Sequence, residues 1–150
     1  MSFVGPYPVA DAIARLRAVA MLRFVGNCAD LETALKQSPR VLPAAYVVAR
    51  EQGSEPKGAS GGVLIQQVTV SLCVVLYVNN YAAQDTGAAA RDEMDALIRA
   101  VRGALLNRRP ASAPAVHPLS FHANRDEMYS GGSLVAQEIY RSSYRIEVRP

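Results

Sequence analysis

Few side chains in this 150-residue sequence are of types that do chemistry, and their spacing decides what they can do. His117 and His122 are the only histidines, and neither has a carboxylate or thiol at a recognised metal-ligand spacing. His117 falls in a Pro-rich connector and His122 on the exposed face of an expected strand, so both read as surface residues. Asp126 and Glu127 are adjacent, which sends them to opposite faces of a strand and makes them a poor acid/base pair. Asp92, Glu93 and Asp95 read as a solvated helix face. Cys28 and Cys73 form no CxxC pair and sit among apolar neighbours, as reduced, packed thiols do. "GASGG" (58–62) lacks the spacing and the trailing Lys-Ser/Thr of a phosphate loop, and a strand follows where that loop requires a helix. No nucleophile, base and orienter come together, so no catalytic site, metal site or cofactor is expected.

Composition narrows the class further. Half the residues are hydrophobic and 19% are charged, with a net charge of +3. That is a globular balance with only a mild basic excess, thinner than the dense stripe of a dedicated nucleic-acid binder. No apolar run approaches the ~18 residues of a membrane helix. The opening "MSFVGPYPVADAIARLR" has no basic segment followed by an apolar one, so no secretory signal is expected.

The elements that must position these residues follow from periodicity. After Pro6 and Pro8, Val9, Ile13, Leu16 and Ala20 recur on one helical face, with Arg15 and Arg17 off it. "MLRFVGN" predicts a short strand. Asp30 is placed to cap a brief helix burying Leu31, Ala34 and Leu35, stopped by Pro39. "RVLPAAYVVARE" predicts a strand in which Pro43 marks an edge or a bulge. Glu51–Gly62 reads as a mobile polar loop. From Val63 to Asn79 runs a strand longer than the usual ~3–10 residues. Its Val68, Val70, Leu72, Val74, Leu76 and Val78 lie on a dry face, with Gln67, Thr69, Ser71, Cys73 and Tyr77 opposite.

Asp85 is placed to cap a helix whose stripe is Ala90, Met94, Leu97, Ile98, Val101 and Leu105, ended by Asn107 and Pro110. Arg91, Asp95 and Arg99 line its wet side. "RRPASAPAVHP" (108–118) shows no periodicity. The remainder predicts a hairpin turning at Ser130-Gly131-Gly132. Its return strand sets Leu134, Ala136, Tyr140, Tyr144, Ile146 and Val148 against Gln137, Arg141, Ser143, Arg145 and Glu147. Glu138 on the dry face and Ile139 on the wet one break this alternation and predict a bulge there. The expected fold class is α+β in one domain over 1–150. The sheet is mainly antiparallel, with two long strands or a long hairpin, and the helices are packed on one face.

Taken in order, "GGVLIQQVTVSLCVVLYVNNY", "AARDEMDALIRAVRGALLN", "HPLSF" and, after a Gly turn, "VAQEIYRSSYRIEVR" resemble the tail terminator-like proteins of tailed bacteriophages, related to the terminator of lambda-like siphophages. The resemblance implies a structural virion protein without active-site residues. It implies a homo-oligomeric ring, hexameric in the lambda-like case, on the head-proximal end of the tail tube. Such a ring ends tube polymerisation and presents the head-joining surface. The implied partners are other copies of the chain, the tail tube protein and a head-tail connector protein. DNA meets it only by passing through the lumen, and no membrane is involved. The implied location is the virion tail, after assembly in the host cytoplasm. Lys57, Asp126, Glu127, Arg141 and Arg145 are the candidate interface residues, the arginines paired with carboxylates of an adjacent chain. Two alternatives have a different character: another connector or minor tail protein, and a small non-catalytic ligand-binding α+β domain with the Glu51–Gly62 loop over a pocket. A third, a DNA-contacting protein, would use Arg108, Arg109, Arg141, Arg145 and Arg149.

Overall fold

The structure, a computed structural model, describes residues 3–58, 61–79, 88–130 and 132–150, the side chains of 126–130 excepted. Its elements are α1 (Val9–Arg17), β1 (Phe24–Asn27), α2 (Leu31–Leu35), β2 (Ala44–Gly53), β3 (Lys57–Gly58), β4 (Leu64–Asn79), α3 (Ala88–Leu105), β5 (Ser120–Ser130) and β6 (Ser133–Val148). The sheet order is β1-β2-β4-β6-β5, with β3 also pairing with β4. Every pairing is antiparallel except β1 with β2, which is parallel. The fold is therefore α+β with a mixed, mostly antiparallel sheet.

β4 forms as its alternation requires. Val68, Val70, Leu72, Val74, Leu76 and Val78 are all buried. Each such side chain contributes about 1.5–3 kcal/mol of transfer free energy. They pack under α3, whose Ala90, Met94, Leu97, Ile98, Val101 and Leu105 are the buried stripe read from the sequence. Asn107, at φ 60°, takes the left-handed position that ends this helix. Asp85, the expected cap, lies outside the described residues. α1 adds Ile13 and Leu16 to the same core, together with Ala12, while Ala20 is exposed beyond the helix end.

The helices do not share one face. α1 and α3 cover the face carrying Val47, Leu72 and Tyr140, whereas α2 covers the opposite one, with Ala34 against Tyr46, Val48, Val75 and Tyr77. The strand order supplies the reason. The β1–α2–β2 and β4–α3–β5 connections both step the same way across the sheet, but β1 and β4 run in opposite directions. Two crossovers of one hand must then lie on opposite faces. Asp30 caps α2 as expected, its Oδ1 accepting from the Thr33 N–H at 2.7 Å.

Four local expectations are corrected. Pro43 is neither at an edge nor in a bulge: it precedes β2, an interior strand, and its carbonyl accepts from the Arg23 N–H. The Glu51–Gly62 stretch is in part sheet, because β2 continues to Gly53 and Lys57–Gly58 pairs with Leu64–Ile65. β6 is regular against β4 along its length, and the irregularities sit in β5, between Phe121 and Ala123 and between Arg125 and Met128. The 108–118 connector has a period after all, since Pro110, Ala113, Val116 and Leu119 are buried at steps of three. Two of its turns, Ala113 N–H to Pro110 and Val116 N–H to Ala113, set that period. The final hairpin turns where expected, Ser130 pairing with Ser133, although Gly131 lies outside the described residues.

Candidate functional site

α2 covers only one end of its face, so the rest of that face is left open. Register places its side chains in rows. Tyr46, Val75, Gln137 and Arg125 form one row across β2, β4, β6 and β5. Val48, Cys73, Ile139 and Ala123 form the next, and Arg50, Ser71, Arg141 and Ser120 the third. Beyond them stand Gln52, Thr69 and Ser143, then Gln67 with Arg145, then Lys57 with Ile65 and Glu147. The face thus grades from apolar under α2 to polar and cationic beyond it.

Several hollows break this surface, and two of them hold the expected interface residues Lys57, Arg141 and Arg145. The first, of about 180 Å³, is lined by Leu31, Val48, Cys73 and Ile139 with Arg50, Ser71, His122, Arg125 and Arg141. Arg50 and Arg141 flank β4, about 10 Å apart at the backbone for two strand spacings. Among the described residues no carboxylate lies within ion-pair distance of Arg50, Arg125 or Arg141. Asp30 stands further off. Its carboxyl is held below the ordinary range first by its bond from Thr33 N–H, with Arg50 and Lys36 adding to the effect. Burial pushes the Cys73 thiol up to about 11 against the pull of Arg125 and Arg50, so the floor stays uncharged at neutral pH. The second hollow lies along the strands, lined by Ser54, Lys57, Ile65, Gln67 and Arg145.

The other face holds a charge of different character. Glu138 is fully buried and accepts from Arg102 Nε at 2.5 Å, Arg102 Nη2 at 3.0 Å, Asn124 Nδ2 at 2.7 Å and Tyr140 Oη at 3.3 Å. Arg102 also lies over the Phe121 ring, 4.3 Å from its centroid. This network fastens α3 to β5 and β6. Glu51 Oε1 accepts from Tyr7 N–H and Tyr144 Oη, each at 2.9 Å, and so ties the N-terminal segment to β2 and β6.

Of the expected interface residues, Lys57, Arg141 and Arg145 all stand on the open face, with Lys57 and Arg145 in one hollow. Arg145 reaches Glu147 at 3.5 Å. Asp126 and Glu127 lie in β5 near its second irregularity, and their side chains lie outside the described residues. Arg108 and Arg109 follow α3, where Arg15 and Pro114 hold Arg109, so the expected DNA-contacting arginines do not form one surface. His117 is exposed in the connector, and His122 joins the rim of the first hollow at a register break in β5. Sequence reasoning missed Arg50 and Arg125. The alternation of β2 contained a signal for Arg50, which shares the parity of Tyr46 and Val48.

A family model described as phage tail terminator protein matches residues 2–150, and the chain belongs to that family, one of structural phage tail proteins. No curated protein matches the chain.

Proposed function

We propose that this protein is a tail terminator that acts as a single domain over 1–150. Copies close into a homo-oligomeric ring, a hexamer, on the head-proximal end of the tail tube. The ring stops tube polymerisation and then presents the surface that meets the head-tail connector, while DNA passes through its lumen. The protein is assembled in the host cytoplasm and carried in the virion tail. The observation that carries this reading is the family match across essentially the whole chain. The open sheet face supports it, because a ring needs lateral surfaces not consumed by the monomer's core.

On this reading Lys57, Arg141 and Arg145 face a neighbouring subunit or the ring's inner surface, with the Asp126 and Glu127 carboxylates of an adjacent chain as partners. Each exposed pair contributes about 0–1 kcal/mol, so matched charges set register more than affinity. Native mass spectrometry of the wild type tests the ring, with a closed hexamer expected. Arg141→Glu with Arg145→Glu leaves the fold intact by circular dichroism and reduces the ring to monomers. Asp126→Arg with Glu127→Arg restores it. A double reversal that still forms the same ring removes this face from the subunit contact.

A further inference from the structure

We infer that the hollow bounded by Arg50, Arg125 and Arg141 is a docking site for an acidic protein segment with an apolar anchor residue, carried by another protein of the tail. The inference rests on the assembly reading above and names the chemistry of one partner. Its first ground is charge. Three guanidinium groups and His122 surround one hollow, and none of the three has a carboxylate within ion-pair distance among the described residues. Arginines so placed are arranged to receive carboxylates from outside the chain.

The second ground is the floor. Leu31, Val48, Ile139 and the protonated Cys73 make it apolar, and a volume of about 180 Å³ accommodates one aliphatic or aromatic side chain. A nucleic-acid backbone offers phosphates but nothing to fill such a floor. A peptide with Asp or Glu on either side of a Leu or Phe offers both, and a desolvated anchor ringed by polar contacts is how interfaces concentrate their affinity.

The third ground concerns the occupant: on the assembly reading, carboxylates of an adjacent chain meet Arg141 and Arg145, which leaves Arg50, Arg125 and the apolar floor for another protein. The chain carries a net charge of +3. Five of its described carboxylates are engaged already: Asp11 with Arg15, Glu32 with Lys36, Glu138 with Arg102, Glu147 with Arg145, and Glu51 with two donors. An acidic partner from another protein fits the unmatched cations better.

The experiment pans a random twelve-residue peptide library on the full chain, with Arg50→Glu/Arg125→Glu as the counter-selection. Enriched peptides are expected to carry two or three acidic residues around one large apolar residue. Anisotropy titration of a labelled enriched peptide should show binding at least tenfold weaker to Arg50→Glu/Arg125→Glu, and weaker as salt rises. Ile139→Ser should reduce the advantage of the apolar residue while sparing the acidic preference. Peptides without acidic enrichment, or equal binding to the charge-reversed chain, overturn the inference. Tighter binding of a 20-base-pair duplex, lost in the same variant, overturns it in favour of a nucleic-acid surface. Tighter binding of a second copy through the hollow, read as loss of self-association in that variant, does so in favour of a subunit contact. Native mass spectrometry of the same samples separates the two readings. Peptide binding without a ring defeats the assembly proposal alone, and a ring without acidic peptide binding defeats the docking site alone.

Discussion

Arg102→Met removes the cation that faces the fully buried Glu138. In the wild type the side-chain exposures are 37% for Arg102 and 0% for Glu138, so the change strands a carboxylate rather than a guanidinium. Breaking a fully buried pair costs about 3–5 kcal/mol. Here Asn124 and Tyr140 still donate to Glu138, which lowers that figure. Loss of the cation–π contact with Phe121 adds back about 0.5–1 kcal/mol. The net expectation is about 3 kcal/mol, a large part of the ~5–15 kcal/mol that holds a domain together. Glu138→Leu in the same chain removes the stranded charge and leaves chiefly the Tyr140 hydroxyl without its acceptor, about 1 kcal/mol. The double variant should therefore be more stable than Arg102→Met alone. Urea unfolding of the four chains at one fixed protein concentration gives the coupling energy. A cost below about 1 kcal/mol for Arg102→Met, with the two single effects simply adding in the double variant, would refute the account of this network.

Buried tyrosines set the alkaline limit. Burial is the first cause that lifts Tyr7 and Tyr144 up to about 12, and Tyr140 also lies above its ordinary value. The folded form keeps these protons while the unfolded chain releases them above about pH 10, so stability is intact below that pH and falls above it. Between pH 10 and 11 the loss is about 1 kcal/mol per tyrosine, measured by urea unfolding at the two pH values, and a flat profile would count against it. Gly5 sits at φ +88°, and a Cβ there would run into the Tyr144 hydroxyl. Gly5→Ala should cost about 1–3 kcal/mol and lower the melting temperature, whereas an unchanged melting temperature would mean that the N-terminal segment is not held against β6.

What could be read from the sequence was governed by local repetition. β4 alternates strictly and α3 carries an unbroken stripe, so both elements and their buried residues were legible. Glu138 was visible as a misfit on a dry face. Its partner was not, because Arg102 reaches it only through the placement of α3 over β6. The face covered by α2 was equally out of reach: a five-residue helix has little periodicity, and its side depends on the order of strands distant in sequence. The same applies to the candidate site. Arg141 and Arg145 could be assigned to one face from their own strand, but Arg50 and Arg125 join Arg141 only because β2 and β5 flank the β4–β6 pair. The connector was misread because its period of three belongs to neither a helix nor a strand.

The central claim is that this chain ends a tail tube. Tube protein polymerised with and without the chain, and imaged by negative-stain electron microscopy, tests it most directly. The account predicts shorter tubes of narrower length distribution, each with one added ring of density at a single end. Tubes of unchanged length with bare ends, in the presence of folded protein, would contradict it.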